Sequence, residues 1–228
     1  MIEGTDWRNL LQEVQNEIAA LDPNPYYVRA YRAAESFYWQ RIPAWICEDW
    51  AGRGLRACLD IGCAYGTLAL FCRKLAGCAL FCTDFIPAYL SASLLRRHEI
   101  TFAVNNIERD PFPWPMEYDA ILFTEVLEHL NFHPLPTLRR IHDLLSPAGR
   151  LYLSTPDAAE WGRVTKYYSG LEEIPYPAAG RPVVDDHVYV YTENELLGLL
   201  KEADLHICRF DYSPGVCGRH FNLTLTRR

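Results

Sequence analysis

Between residues 56 and 154 short apolar runs alternate with amphipathic segments, and no other feature of the chain limits its fold as tightly. The runs lie at 56–61, 78–83, 101–104, 117–124 and 149–154. Helical segments at 67–75, 87–97 and 134–145 lie between most of them. In the last of these Leu138, Ile141, Leu144 and Leu145 share a face, and Pro147-Ala148-Gly149 ends it. Parallel strands need crossover connections, so this alternation predicts an α/β fold whose parallel sheet is covered on both faces. A chain of 228 residues has room for one such body and appendages.

The flanks are read from local signals. Residues 5–21 place Trp7, Leu10, Leu11, Val14, Ile18 and Leu21 at helical spacing, with Thr5 or Asp6 as cap and Pro23 as stop. A second helical stretch, 26–50, is rich in aromatics, so residues 1–50 read as a helical N-terminal cap on a domain spanning 51–228. Residues 156–191 hold four prolines and three glycines and read as a substrate lid or loop. Thr192-x-x-Glu195 is a capping box that opens another helix. DLHICRFDY, a turn at Ser213-Pro214-Gly215 and HFNLTL then form an antiparallel hairpin.

Composition narrows the function. The net charge of −7 argues against nucleic acid as a partner, because neutralising phosphates takes a basic surface. No apolar run approaches the roughly 18 residues that would cross a bilayer, so membrane insertion is not expected. The acidic, amphipathic N-terminus does not read as a signal peptide. Eight cysteines, at 47, 58, 63, 72, 78, 82, 208 and 217, contain no CxxC pair. Most sit in apolar stretches and read as buried, reduced thiols of a cytoplasmic protein.

LDIGCAYG at 59–66 runs from a strand through a glycine turn into a helix. Gly62 lets a ligand lie against the backbone and Gly66 permits the turn. This is not the GxGxxG dinucleotide pattern. The second strand ends in Asp84, and a carboxylate can accept from both hydroxyls of a cis-diol. NNIERDPFP, YDAILFTEVLEHL and LSPAGRLYLSTPD follow in order. The ordered series resembles the class I S-adenosylmethionine-dependent methyltransferases, of the ubiquinone-biosynthesis or small-molecule O-methyltransferase type.

That resemblance implies a Rossmann-like, doubly wound seven-stranded sheet, with the C-terminal hairpin inserting one antiparallel strand. It places S-adenosyl-L-methionine on Asp60, Gly62, Cys63, Ala64 and Gly66, with Asp84 on the ribose and Phe85 or Ile86 against the adenine. Asn106 and the Ile107 backbone would read the adenine edge, and Glu125 would stand near the methyl group. Ala64 replaces the family's middle glycine, a mild departure if residue 64 keeps a negative φ.

Glu125-x-x-Glu128-His129 would share one face at helical spacing, and His187 follows after the long loop. Glu125, Glu128, His129 and His187 could bind a divalent metal, Mg or Mn. Alternatively His129 or His187, with Glu125, acts without metal as the catalytic base. The expected function is methyl transfer to an oxygen of a small-molecule acceptor, a sugar or phenolic hydroxyl, in a biosynthetic pathway. Metal-assisted RNA 2′-O-methylation and a non-catalytic binding module are the alternatives. His133 reads as a helix start, Glu108-Arg109-Asp110 as a solvated loop, and Arg139-Arg140 and Arg96-Arg97-His98 as solvated helix faces.

Overall fold

A computed structural model describes residues 6–21, 24–50, 53–164, 166–178, 180–214 and 218–227. Thr5, Pro23, Gly215 and Cys217 lie outside the described residues, so the alternative cap, the helix stop and the centre of the hairpin turn do too.

The alternating region folds into β1 (Ala57–Ile61), α4 (Thr67–Ala76), β2 (Ala79–Asp84), α5 (Ala92–Arg97), β3 (Thr101–Val104), β4 (Tyr118–Thr124), α6 (Pro134–Leu144) and β5 (Leu145–Pro156). It is preceded by α1 (Trp7–Leu21), α2 (Arg32–Tyr38) and α3 (Ile42–Trp50). After it come α7 (Ala158–Trp161), α8 (Glu193–Glu202), β6 (Leu205–Pro214) and β7 (Arg219–Arg227). The seven strands lie in the order β3-β2-β1-β4-β5-β7-β6. β1 to β5 pair in parallel, and β7 enters antiparallel between β5 and β6. The order reverses between β1 and β4, which opens a crevice at their carboxyl ends.

Both faces of the sheet are covered, so β1 is buried along its whole length. On one face α6 and α8 press Leu138, Ile141, Leu196 and Leu200 onto Phe123 and Leu223. On the other, Leu11, Val14 and Ile18 of α1 share a core with Leu68, Phe71 and Tyr152. The indole N–H of Trp50 donates to the Tyr152 hydroxyl at 3.0 Å, which donates to Asp49 at 2.9 Å. The N-terminal helices therefore complete the core of that face.

Local chemistry moved several element boundaries. Asp6 caps α1 by accepting from the backbone N–H of Arg8 at 3.0 Å. The aromatic stretch breaks into a π-helical turn at Tyr27–Tyr31, α2 and α3, and Trp39 leaves helical geometry at ψ 39°. Pro43 is tolerated because it falls in the first turn of α3. The helix expected at 87–97 begins only at Ala92, where the Ser91 side chain accepts from the backbone N–H of Ser93 at 3.2 Å. β6 continues through Pro214, further than the expected turn allowed.

A candidate cofactor and acceptor cleft

Gly62 and Gly66 adopt φ +70° and +75°, values glycine reaches without cost. The N–H groups of Gly62 and Cys63 donate to the Thr83 carbonyl at 2.8 and 3.2 Å, tying the turn after β1 to β2. A Cβ on Gly62 would lie 2.4 Å from Cγ2 of Val126, so the space denied there belongs first to the protein's own side chain. Ala64 has φ +42°, contrary to the negative value expected. Its N–H donates to Asp84 at 3.0 Å, and that bond helps hold an alanine in the left-handed region. Cys63 is buried, and its thiol is pushed up by the neighbouring Cys82 thiol and by burial.

Asp84 ends β2 with its two oxygens accepting separately, from Ile86 N–H at 2.9 Å and Ala64 N–H at 3.0 Å. Each oxygen keeps acceptor capacity, so the aimed carboxylate fits a vicinal diol. Beside it lies a slot lined by Ile61, Phe85, Asn106, Ile107, Val126 and Leu130. The Asn106 amide oxygen accepts from the Glu108 N–H at 3.0 Å, and the Ile107 carbonyl accepts from Arg140. The amide oxygen free to meet a ligand belongs to Asn105, also in the slot lining. It is buried and has no hydrogen-bond partner among the described residues, while its Nδ2 donates to the Pro111 carbonyl at 3.0 Å. An apolar slot with one unpaired acceptor fits a purine carrying an amino group.

Three surface expectations fail, at Glu108, Arg140 and His98. Glu108 is buried, because its carboxylate accepts from the Phe132 backbone N–H at 2.7 Å. Arg140 docks on the Ile107 and Asp110 carbonyls, and His98 meets Glu17 at 2.8 Å. Arg96, Arg97 and Arg139 are exposed, as expected. His133 does start α6, its ring accepting from the Leu135 N–H at 3.4 Å.

The main cleft, about 750 Å³, is walled by Tyr26, Tyr31, Tyr38, Tyr65, Tyr89 and Trp161. Its acidic and imidazole lining comes from Asp84, Glu125, Glu128, His129, Asp185, Asp186, His187 and His220. Glu125 and Glu128-His129 do not share a helical face. Glu125 sits at φ +54°, and only Leu127–His129 form a 3-10 turn. Glu125 accepts from the Ser154 hydroxyl at 2.7 Å and lies 2.9 Å from Nδ1 of His220. Trp161 donates to Nε2 of His220 at 3.1 Å, which leaves Nδ1 as the ring nitrogen that carries the proton in the neutral imidazole; it lies close to Glu125 without hydrogen-bond geometry.

Glu128, His129 and His187 come together, with one ligand atom from each lying within 4.8 Å of the others. Glu128 is 1 % exposed, and one oxygen accepts from Thr155 at 2.9 Å. The other has no hydrogen-bond partner among the described residues and lies 4.0 Å from Nε2 of His129. Burial, followed by the charge of Glu125, pushes the Glu128 carboxyl well above its usual range. Burial lowers both His129 and His187, whose rings meet edge-on at 4.7 Å. Two neutral imidazoles and a buried carboxylate oxygen without a donor fit a divalent ion. Glu125 lies outside this group and is engaged with Ser154 and His220 instead.

Sequence reasoning missed His220, Asn105 and Asp185, whereas Trp161 belongs to the loop whose aromatics were expected to meet the acceptor, and it does line the cleft. His220 pairs in register with Pro156 across β5 and β7, and only the antiparallel insertion brings it to the carboxyl edge of the sheet. An acidic residue in the middle of the aromatic stretch, with twelve residues between it and the next acid on either side, was a usable signal for another missed group, Glu35, which is 2 % exposed.

Residues 51–209 match the methyltransferase domain family, and the chain belongs to it. With this sheet order and site it is a class I S-adenosylmethionine-dependent methyltransferase. A ubiquinone biosynthesis O-methyltransferase of Xanthomonas campestris pv. campestris is 32 % identical over 101 residues, 42 % of this chain and 41 % of that one. The chain thus matches less than half the length of that curated relative. The magnesium protoporphyrin IX methyltransferase of Synechocystis PCC 6803, solved with bound S-adenosylhomocysteine, superposes with TM-score 0.65 at 16 % identity, covering 95 % of this chain and 94 % of that one. The [4+2]-cyclase SpnF superposes with TM-score 0.59 at 17 % identity, covering 82 % and 80 %. At these identities the two structures share the fold alone.

Proposed function

We propose that this methyltransferase acts on a hydroxyl oxygen of a small-molecule acceptor, a sugar or phenol, in a cytoplasmic biosynthetic pathway. The observation that carries the reading is the aromatic-walled cleft beside Asp84, with Glu128, His129 and His187 in its lining. Aromatic walls suit the faces of sugar and aryl rings. None of the described lining residues is a lysine or arginine, which disfavours the phosphates of an RNA acceptor. Five buried cysteines among the unpaired thiols suit a reducing compartment. The curated O-methyltransferase relatives support oxygen as the acceptor atom.

S-adenosylmethionine supplies an activated methyl electrophile, so the chain's own work is alignment, exclusion of water and handling of the acceptor proton. Asp84 would hold the ribose and Asn105 the adenine amino group. Tyr38, Trp161 and the 62–66 turn border the space left for the acceptor. Glu128, His129 and His187 would hold Mg²⁺ or Mn²⁺, which when bound supplies a Lewis acid beside the acceptor hydroxyl.

The test is a calorimetric titration of Mn²⁺ into chelator-stripped protein saturated with S-adenosylhomocysteine. Saturable binding by the wild type, lost in Glu128→Ala/His129→Ala, is the expected result. Absence of binding would overturn the metal site and leave His129 or His187 as a metal-free base. A panel of catechols and single-hydroxyl sugars and phenols then identifies the acceptor.

A further inference from the structure

Glu35 is a buried carboxylate with no cation at ion-pair distance among the described residues. Its oxygens accept from neutral donors alone: Gln15 at 2.9 Å, Tyr27 at 3.1 Å and the Thr67 hydroxyl at 3.0 and 2.9 Å. The nearby Arg32 guanidinium is bound to Asn16 instead. A second carboxylate, Asp60 of β1, is 4 % exposed and likewise forms no ion pair among the described residues. Both line one small cavity of about 20 Å³, together with Tyr31, Thr67 and Thr124. That volume holds about one water-sized group. The cavity shares Tyr31, Gly62, Ala64, Tyr65 and Thr124 with the main cleft, so a ligand lying along the 62–66 turn reaches into it.

Buried carboxylates need either a proton or a cation. We infer that Glu35, carried by the N-terminal helical segment, joins Asp60 in binding the α-ammonium group of the cofactor's amino-acid tail. This rests on the S-adenosylmethionine reading and adds a residue outside the family-matched region 51–209. The N-terminal segment is then part of the cofactor site as well as of the core. In the ligand-free protein, burial pushes Glu35 up to about 7 and Asp60 up to about 8, with Asp84 adding to the second. The groups facing Glu35 are Gln15 from α1, Tyr27, Tyr31 and Arg32 from its own segment, and Thr67 from α4. An entering ammonium ionises the carboxylates, so their protons leave as the ligand binds.

The experiment compares S-adenosylhomocysteine with 5′-methylthioadenosine, which keeps the adenosine and thioether but lacks the amino-acid tail. Glu35→Gln is expected to weaken S-adenosylhomocysteine roughly 10- to 100-fold and to change 5′-methylthioadenosine less than about twofold. Equal weakening of both, or of neither, would overturn the assignment. Calorimetry on the wild type at pH 6.5, in two buffers of different ionisation enthalpy, needs no variant to fold. Release of roughly one to two protons with S-adenosylhomocysteine and none with 5′-methylthioadenosine is expected. Absence of that release overturns the inference. Release with an amine acceptor such as tyramine but not with S-adenosylhomocysteine does the same, giving the pocket to the acceptor. If 5′-methylthioadenosine binds as tightly as S-adenosylhomocysteine, the ammonium pocket fails while the cofactor reading stands. If neither binds, both fail.

Discussion

At the scale of single residues, the site depends on side chains whose second contacts fix their direction. Asp84 accepts from two backbone N–H groups before any ligand arrives, so its oxygens are already aimed. Asp84→Ala is expected to weaken S-adenosylhomocysteine about 100-fold, because two charge-assisted hydrogen bonds are lost together; calorimetry measures it. Gly62 makes a different point. Alanine there meets both a φ of +70° and Val126 at 2.4 Å, so Gly62→Ala should cost about 1–3 kcal/mol in urea unfolding. Gly62→Ala/Val126→Ala should recover the part due to the clash but not the backbone part. The glycine pattern and the acid ending β2 were legible because each is a local requirement of its own turn. Asn105 was not distinguishable from Asn106, since which amide oxygen stays free depends on the Glu108 N–H folding back onto the second.

At the scale of elements, the segment 156–191 proves more than the loop its prolines suggested. Ile174 is buried in the main core, and the Pro175 carbonyl accepts from the His133 N–H at 2.8 Å. Val188 and Tyr189 both donate to the Glu128 carbonyl, at 2.8 and 3.2 Å, which places His187 beside His129. Excising 163–182 is therefore expected to destabilise the protein by at least about 2–4 kcal/mol, the cost of removing one buried aliphatic side chain, and thermal unfolding reads it. A freely removable lid would leave the midpoint unchanged. The capping box of α8 was legible and is present, with Thr192 and Glu195 bonding each other's backbone. Thr192→Ala should cost about 1 kcal/mol, read as a lowered melting temperature.

At the scale of the whole molecule, carboxyl groups buried without cations make stability depend on pH. Glu35, raised to about 7, stays protonated in the folded protein where the unfolded chain has already lost its proton near its ordinary value of 4.5. Its contribution is thus fullest below about pH 4.5, declines as pH rises toward 7, and levels off above. His129 and His187, lowered by burial, work in the opposite direction as pH falls. The difference between wild type and Glu35→Gln isolates the first effect. Urea midpoints from pH 5 to pH 8 should show the wild type losing ground to the variant as pH rises. A constant difference would mean that Glu35 is ionised throughout.

The sequence by itself determined the alternation of strand and helix, the glycine turn after β1, the carboxylate at the end of β2 and the closing hairpin. Each is set by residues within one or two turns of backbone, where periodicity, φ preference and capping act. Tertiary structure alone decided that His220 of β7 would meet Glu125 of the β4 edge, that His187 would reach Glu128 and His129, and that Glu35 would share a cavity with Asp60. Those meetings depend on strand insertion, on the path of a long connection and on the packing of the N-terminal helices. The contacts join residues far apart in the chain, and local spacing carries no record of them.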